Sequence, residues 1–427
     1  MCLDGKRLLL LGGSSWKDAM KDFANTLGVT LIATGNNKSA GIFDIADEGY
    51  QIDSTDADAM KKLIISKNID GVYMGGSEAV ISSASDYLRE LDMPCYCTKE
   101  QWNFIQNKLK LKKLLREFSL PTVYSYDILY EDIDKNAERF NFPVVTKPAD
   151  SCGGTGFSVC TNTEEIKEGY LLAAEKSTSN EVIVEDFVEN NSIVVFYTFS
   201  EGKMIFSGIE DKYPMQYAKK GSFVAGMHVF NSSMEQKFRE KFDEKLALMF
   251  SSIGIKEGSI WLEVFVSGDN YYFNEAGYRY SGSVTVYPID YFYGINQVAS
   301  DMYYALTGKS IVKGWNSLIP ENITHKKHYC LYPVYLNAGT IKSVNGVCEV
   351  EKLPDVVKVF VTKSEGCIVH RTGDFSQNFG FVHFVFDTKC EFKETIRKID
   401  SLLSIKNTND EDMRIILSDE FLDRILV

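Results

Sequence analysis

The amino-acid sequence predicts an α/β protein whose C-terminal part is α+β. Residues 6 to about 98 alternate short apolar runs with amphipathic stretches, an order typical of βαβ units and of a parallel, doubly wound sheet. The middle of the chain adds runs of β-branched and aromatic residues that predict strands. After about residue 325, predicted strands are accompanied by the helix ETIRKIDSLLSI. A chain of 427 residues is expected to hold two or three domains of about 100–200 residues each.

The composition is that of a globular protein with an acidic balance. The 46 Lys and Arg residues and 59 Asp and Glu residues give a net charge of −13, which argues against nucleic acid or an anionic membrane as the main partner. No apolar run approaches the length of a membrane span. The N-terminal run Leu8–Leu11 is followed by two glycines, so we expect no signal peptide. Nine scattered cysteines without a zinc-ligand spacing predict reduced thiols and a cytoplasmic location.

The N-terminal elements follow one another as strand and helix. KRLLLLGG, VTLIATG and GVYMGG predict strands, and PCYCT after Pro94 predicts a further one. Gly12–Gly13 and Gly75–Gly76 stand at the carboxyl ends of predicted strands, where sheets of this kind bind ligands. Neither pair matches the GxGxxG pattern of dinucleotide sites. A tight turn from strand to helix is sufficient to explain the first pair.

A basic helix, a strand and a glycine-rich loop make up the next stretch. QWNFIQNKLKLKKLLREF predicts one helix that ends before Pro121, and FPVVTKP predicts a strand that carries Lys147 at its end. The loop ADSCGGTGFSVC follows it. Backbone N–H groups of glycines can approach an anion closely, and a lysine adds a compact positive charge. These features predict a phosphate clamp, although the Walker pattern GxxxxGK[ST] is absent.

The stretch WLEVFVSGDNYYFNEAGYRYSGS, residues 261–283, predicts a β-hairpin. A three-residue turn at 268–270 would set Glu263 directly opposite Glu275. Two facing acids are destabilising unless a positive charge lies between them, and their oxygens suit a hard cation such as Mg²⁺. Arg279 adds a fork of donors for a carboxylate or a phosphate. A solvated hairpin with ordinary surface acids is the alternative interpretation.

Taken in order, the basic helix, FPVVTKP, the glycine-rich loop, IVEDFVE and LEVFV…FNEAGYR resemble the ATP-grasp superfamily, carboxylate–amine ligases that include biotin carboxylase and D-alanine–D-alanine ligase. The resemblance covers essentially the whole chain. It implies a Rossmann-like domain over 1–98, a two-lobed ATP-grasp core over 99–325 and an α+β cap domain over 326–427. The cap's pattern GTIKSVNG…LPDV…GFV resembles the C-terminal domain of L-amino-acid ligase-like proteins.

The same resemblance implies roles for individual residues. Those implied to bind ATP are the lysines Lys108 and Lys147, the loop glycines Gly153, Gly154 and Gly156, the adenine linker Glu185, Phe187 and Val188, and Phe265 against the adenine ring. Glu263 and Glu275 are implied to hold Mg²⁺, or Mn²⁺ in its place. Lys147 and Arg279 are implied to act in catalysis, on the transferred phosphoryl group and on the acyl group. His228, Ser281 and Ser283, with Arg279, are implied to line the substrate side.

Two positions depart from the superfamily's pattern. Gly277 stands where the superfamily commonly has an Asn two residues after the second acid, so one metal ligand is expected to be missing. Ser192 stands where many relatives have an acid for the ribose hydroxyls, and Glu189 is the other candidate for that contact. Neither departure removes the phosphate chemistry.

The resemblance implies an ATP-dependent ligase that activates a carboxylate as an acyl phosphate, joins it to an amine and releases ADP and phosphate. Its partners are then small-molecule carboxylate and amine substrates, and a homodimer is a further expectation. One alternative is a purine-pathway enzyme similar to carboxyaminoimidazole ribonucleotide synthase. A site for its phosphorylated substrate would require more basic residues beside Arg279 than the SGS segment provides. The other is a non-catalytic ATP-binding module, which Gly277 keeps open.

Overall fold

The computed structural model describes residues 3–150, 154–189, 191–216 and 223–425. Its N-terminal region forms a parallel sheet with the strand order β3-β2-β1-β4. The elements of this region are β1 (Arg7–Leu10), α1 (Lys17–Leu27), β2 (Thr30–Thr34), β3 (Glu48–Tyr50), α2 (Ala57–Ser66), β4 (Gly71–Tyr73) and α3 (Glu78–Glu90). The apolar run of β1 lies at the centre, with Leu8, Leu9 and Leu10 fully buried, as expected for a parallel strand covered on both faces.

The middle region contributes a small antiparallel sheet and most of a large one. Its elements are α4 (Lys99–Gln106), α5 (Lys108–Glu117), β5 (Ser125–Tyr126), β6 (Val144–Pro148), β7 (Ser158–Cys160), α6 (Thr163–Lys176), β8 (Val182–Asp186), β9 (Asn191–Ser200), β10 (Lys203–Gln216), β11 (Phe223–Phe230), α7 (Glu235–Ser252), β12 (Gly258–Ser267), β13 (Asn270–Gly277), α8 (Val286–Tyr293) and α9 (Gln297–Thr307). The small sheet has the order β5-β8-β6-β7.

The C-terminal region extends the large sheet. Its elements are β14 (His328–Tyr335), β15 (Gly339–Asn345), α10 (Val347–Glu351), β16 (Val356–Val361), β17 (Ile368–Val369), β18 (Asn378–Phe386), α11 (Lys389–Leu402), β19 (Ser404–Asn407) and α12 (Asp419–Asp423). The large sheet has the order β13-β12-β9-β10-β11-β14-β18-β16, and β17-β15-β19 form a separate sheet. Because β11 pairs with β14, backbone hydrogen bonding is continuous across the boundary predicted near residue 325, and the domain limits stay a prediction.

Two predicted elements differ in the structure. The strand predicted at PCYCT is wrong: residues 94–98 are irregular, and the carbonyls of Cys95 and Tyr96 accept hydrogen bonds from the hydroxyls of Tyr304 and Tyr278 instead of pairing in a sheet. The single basic helix is also wrong. It is two helices, because Asn107 leaves the helical conformation and its side chain caps α5 by accepting from the backbone N–H groups of residues 109 and 110.

The hairpin of β12 and β13 has the predicted pairing but a different turn. Ser267 pairs with Asn270, so the turn has two residues rather than three, and this register holds as far as Val264 opposite Phe273. A β-bulge at Asn274 then shifts the register, so that Glu263 lies opposite Glu275 as predicted.

None of the helices in the described part of the chain combines the length and the apolar character that crossing a bilayer requires.

Candidate functional site

One face of the large sheet collects the charged side chains of its central strands. Residues directly opposite one another in neighbouring strands share a face, and so do residues two apart in one strand. Glu263 lies opposite Glu275 and also opposite Val194 of β9, which in turn lies opposite Glu210 of β10. Through these registers and those of β11, β14 and β18, the face carries Glu275, Glu263, Glu210, Lys212, His228 and His383.

The two facing acids are compensated by lysines from two other elements. Lys212 of β10 forms an ion pair with Glu263, and Lys108 at the start of α5 lies 3.4 Å from Glu275. Burial alone would raise the pKa of Glu263, but Lys212 and the hydrogen bonds it shares with Lys212 and Asn274 hold the pKa below its ordinary value. Glu263 is therefore a charged carboxylate that is only 6% exposed.

The acid pair fits a hard cation that also binds phosphate oxygens. No group of three or more His, Cys, Asp or Glu side chains suited to a metal occurs in the described ranges, so these residues do not form a closed protein cage. Mg²⁺ is typically held by one or two carboxylates while water and substrate phosphates fill its other positions. Glu263, Glu275 and the amide oxygen of Asn274 beside them offer oxygen donors of the right kind.

Lys147 connects the small sheet to this acid pair. From β6, its Nζ donates to Oδ1 of Asn274 at 2.8 Å, and Nδ2 of Asn274 donates to Oε2 of Glu263 at 2.7 Å. Lys147 also forms an ion pair with Glu185 of β8, whose carboxylate is paired with the buried Lys112 as well. Burial lowers the pKa of Lys112 to about 8. Burial would raise the pKa of Glu185, but Lys147 and Lys112 keep it below its ordinary value.

The other ATP-binding residues predicted in this region lie in the loop after β6 and in the linker after β8. Gly154 and Gly156 have φ of +81° and +74°, a conformation that favours glycine, whereas Gly153 lies outside the described residues. Phe187 follows β8, and its N–H donates to the carbonyl of Pro143 at 3.1 Å. Val188 is half-buried in the same linker.

Phe265 and the two ribose candidates lie near the start of β9. Phe265 is half-buried and shares the face of Glu263, two residues away on β12. It lies opposite Ser192, which is buried and whose hydroxyl donates to the Lys212 carbonyl at 3.5 Å. Glu189 is exposed, so its carboxylate is the more accessible of the two candidates.

Arg279 is engaged by a carboxylate from the N-terminal region. Its Nε and Nη2 donate to Glu78 at the start of α3, its Nη1 donates to the Tyr280 carbonyl at 2.7 Å, and its guanidinium lies 5.5 Å from the centroid of the Trp261 ring. The same indole explains Gly277. A Cβ at position 277 would lie 2.4 Å from Cε2 and from Nε1 of Trp261, so the ring occupies the space that a side chain there would need.

The predicted substrate residues fall into two groups. Nδ1 of His228 lies 2.8 Å from Oε1 of Glu210, and Oε2 of Glu210 is buried with no hydrogen-bond partner in the described part of the chain. The hydroxyls of Ser281 and Ser283 lie 3.0 Å apart. Nε2 of His383 donates to the Ser283 carbonyl at 3.1 Å. Burial lowers the pKa of His383 to about 3, so this histidine is neutral.

The sequence did not reveal four residues that the fold brings to the site: Asn274, Lys212, Glu78 and Glu210. Lys212 and Glu210 alternate along β10, and this spacing is a signal that could have placed both on one face. Glu78 could have been suspected because it follows Gly75–Gly76 at a predicted ligand-binding edge. Asn274 carries no such signal, because only the bulge turns its side chain to this face.

Comparison with known families and proteins agrees with this arrangement. Residues 107–196 match the family "Carbamoyl-phosphate synthase L chain, ATP binding domain", and residues 333–408 match "L-amino acid ligase C-terminal domain 2". Among curated proteins, the chain is 25% identical over 283 residues to the formate-dependent phosphoribosylglycinamide formyltransferase of Prochlorococcus marinus (strain NATL1A), covering 64% of this chain and 70% of that protein. It is 26% identical over 279 residues to that of Methanocaldococcus jannaschii, covering 64% and 69%.

Solved structures share the fold over nearly the whole chain. L-amino acid ligase from Bacillus licheniformis matches with a TM-score of 0.74 and 18% identity, over 95% of this chain and 100% of that one. The biotin carboxylase domain of Hydrogenobacter thermophilus 2-oxoglutarate carboxylase, solved with MgADP and bicarbonate, matches with a TM-score of 0.73 and 17% identity, over 98% and 95%. Phosphoribosylglycinamide synthetase from Anaerococcus prevotii gives 0.69 and 16%, over 94% and 100%. These matches confirm the predicted mixed fold class.

Proposed function

We infer that this chain, which belongs to the ATP-grasp superfamily of ATP-dependent carboxylate–amine ligases, joins a small carboxylate to an amine through an acyl phosphate. In the first step a carboxylate oxygen attacks the γ-phosphorus of ATP, and the bond from that phosphorus to the bridging oxygen breaks to release ADP. In the second step the amine nitrogen attacks the acyl carbon, phosphate leaves and the nitrogen loses a proton. An amide and inorganic phosphate are the products.

The observation that carries this proposal is the meeting of lysines and acids from separate elements. Lys147 reaches Glu263 through Asn274, and Lys108 lies beside Glu275. The lysines come from β6 and α5, and the acids come from a hairpin of the large sheet. A triphosphate and its metal need positive groups and carboxylates side by side, because phosphoryl transfer is catalysed mainly by positioning and by charge neutralisation.

Each residue then has a defined task. Lys108 and Lys147 hold the phosphates, with the backbone of the glycine loop beside Lys147. Glu263 and Glu275 would hold Mg²⁺, which would supply positive charge beside the phosphates. Phe265 packs against the face of the adenine ring. The linker residues Glu185, Phe187 and Val188 contact the edge of that ring. Because Glu185 pairs with Lys147 in the structure, its carboxylate also orients that lysine.

The surroundings of Arg279 support an amino acid as one substrate. Arg279 and Glu78 place a guanidinium and a carboxylate in contact, and these two charges complement the carboxylate and the ammonium group of an amino acid. Glu78 now occupies the donors of Arg279 that a substrate carboxylate would take. The match of residues 333–408 to the L-amino acid ligase C-terminal domain supports the same substrate class.

A formyl-transfer reaction is the second candidate. It is favoured by the curated relatives, which are named as formate-dependent phosphoribosylglycinamide formyltransferases. The carboxylate would then be formate and the amine would belong to a phosphorylated glycinamide. Against it, the carboxylate of Glu78 forms an ion pair with Arg279 and would repel a substrate phosphate.

Measuring phosphate release from ATP with Mg²⁺ tests the proposal. The panel contains amino acids singly and in pairs, small organic acids including formate, and phosphorylated amines including phosphoribosylglycinamide, with hydroxylamine added to trap acyl phosphate. ADP together with an amino-acid hydroxamate supports the amino-acid ligase. A response limited to formate with the phosphorylated amine supports the second candidate. Formation of AMP contradicts an acyl phosphate mechanism. If no substrate of the panel stimulates phosphate release, a non-catalytic ATP-binding module is favoured.

Variants in one hairpin separate the site from the fold. Glu263→Gln and Glu275→Gln each replace a metal-binding carboxylate by a neutral amide. Each should reduce turnover by about 10²-fold or more, while ATP-independent properties such as the far-UV circular dichroism spectrum stay unchanged. Asp269→Asn is the matched control, since Asp269 lies in the turn of the same hairpin with its side chain 92% exposed. Undiminished activity in Glu275→Gln would contradict the metal-binding role of the acid pair.

A homodimer and a cytoplasmic location also belong to the proposal. The first is supported by the solved biotin carboxylase domain, which is described as a dimer, and light scattering on the purified protein tests it. The second is supported by the cysteines in the described ranges, which are free thiols as expected in a reducing compartment. Cell fractionation tests the second.

A further inference from the structure

Asn274 is the extra residue of the β-bulge between β12 and β13. The pairing runs from Val264 opposite Phe273 directly to Glu263 opposite Glu275, so Asn274 has no partner of its own across the ladder. Without the extra residue, side chains 274 and 275 would point to opposite faces of the sheet. A bulge re-aims side chains, and here Asn274 and Glu275 both contact groups of the site, Glu263 and Lys108 respectively.

The amide of Asn274 is held in one orientation by its two partners. A lysine ammonium can only donate and a carboxylate can only accept, so the atom 2.8 Å from Nζ of Lys147 must be the oxygen and the atom 2.7 Å from Glu263 must be the nitrogen. The side chain is 6% exposed. The amide oxygen of Asn274 is therefore a fixed acceptor that points toward Lys147, the lysine proposed to bind phosphate.

The acid pair lacks the third oxygen donor that the superfamily's pattern would supply. The usual third donor, two residues after the second acid, is excluded because the indole of Trp261 occupies the side-chain space at Gly277. Two carboxylates remain, and Mg²⁺ prefers a near-octahedral set of oxygens. Asn274 directly precedes Glu275 in the sequence, whereas Gly277 follows it. The side chain of Asn274 also donates a hydrogen bond to Glu263, so this residue adjoins both acids.

We propose that Asn274 replaces the missing ligand: its Nδ2 fixes the Glu263 carboxylate, and its Oδ1 faces the metal as a third oxygen donor once Lys147 turns to the ATP phosphates. The inference rests on the proposed function, because it needs a metal between Glu263 and Glu275. It assigns a role to a residue that no sequence pattern singles out. It also explains why a polar amide stays buried in a strand whose neighbour, Phe273, is apolar and 1% exposed.

Binding of Mn²⁺ in the presence of ADP, followed by electron paramagnetic resonance, tests this without turnover. Loss of an outer contact to a metal ligand typically costs about 10–100-fold in metal affinity, so Asn274→Leu should weaken Mn²⁺ binding by at least that range. Asn274→Asp keeps an oxygen at the same place but loses the Nδ2 donor to Glu263, so it should bind Mn²⁺ less tightly than wild type and more tightly than Asn274→Leu. Asn270→Leu, an exposed position at the other end of the same strand, is the matched control and should bind as wild type.

Each outcome has a defined meaning. Mn²⁺ affinity unchanged in Asn274→Leu overturns the inference, and so does an Asn274→Asp variant as weak as Asn274→Leu, since the oxygen would then be irrelevant. Wild-type protein that binds no Mn²⁺ with ADP overturns the proposed function and this inference with it. If Asn274→Leu does not fold, judged by its thermal transition, Asn274→Ala takes its place with the same expectations.

Discussion

A single methyl group at position 277 should displace an aromatic side chain of the site. In Gly277→Ala the new Cβ would lie 2.4 Å from Nε1 and Cε2 of Trp261, well inside any van der Waals contact. These are atoms of a rigid ring that cannot yield as the end of a flexible chain would. The indole must move, and the guanidinium of Arg279 that lies over it, 5.5 Å from its centroid, loses that contact.

The expected cost has two parts. Forcing an extra carbon into a packed site costs about 1–3 kcal/mol, and losing a partly exposed cation–π contact costs about 0.5–1 kcal/mol more. Gly277→Ala should therefore lose roughly 1.5–4 kcal/mol of stability. Gly282→Ala is the matched control, since nothing lies within 4 Å of a Cβ at that nearby glycine, and it should stay within about 0.5 kcal/mol of wild type.

Urea unfolding of a double-mutant cycle is the assay. In a Trp261→Leu background the obstructing ring is gone, so adding Gly277→Ala should cost at least about 1 kcal/mol less than it does in the wild-type background. An equal cost in both backgrounds would refute the clash, and so would a Gly277→Ala protein as stable as wild type. Either result would also remove the steric reason for the missing ligand at Gly277.

Three other predictions concern separate parts of the molecule. Glu185→Leu should lose about 3–5 kcal/mol of stability because it leaves Lys112 and Lys147 buried without their carboxylate; Lys112→Met should lose less, since Glu185 keeps Lys147, and equal losses in urea unfolding would contradict the shared pairing. His228→Ala should slow amide formation with the natural amine by about 10²-fold while hydroxamate formation from the more reactive hydroxylamine persists; parallel loss of both would contradict a role on the acceptor side. Burial raises the pKa of Asp301 from 3.8 to about 7, so between those values the folded protein holds a proton that the unfolded chain has released, and stability should fall as pH rises through this window. Asp301→Asn should flatten that dependence in thermal unfolding, and an unchanged slope would argue against it.

The sequence predicted well those features that depend on short stretches of chain. The parallel N-terminal sheet follows from its βαβ pattern, and the strands that carry Lys147, Glu263 and Glu275 lie where the apolar periodicity indicated. The pairing of Glu263 with Glu275 is confirmed, but through two departures that cancel. The turn is one residue shorter than predicted, and the bulge at Asn274 restores the register. A bulge depends on packing across the sheet, which alternation in one strand does not encode.

Contacts between distant elements could not be predicted from the sequence. Glu78 and Arg279 are 201 residues apart, and Lys112 and Glu185 are 73 apart; only the tertiary fold brings each pair together. The break at Asn107 is different, because it has a local cause. Asn is a favoured N-cap residue, and here it precedes a basic amphipathic run, a local signal that the prediction of a single helix did not use.

The origin of the oxygen that ends in inorganic phosphate tests the proposed reaction most directly. The protein is given ATP, Mg²⁺, the amine and a carboxylate substrate labelled with heavy oxygen, and the released phosphate is examined by phosphorus NMR. An acyl phosphate intermediate predicts one labelled oxygen in each phosphate, because the carboxylate oxygen that attacks the γ-phosphorus leaves with it. Phosphate without label, or label found in AMP, would contradict the proposed activation step.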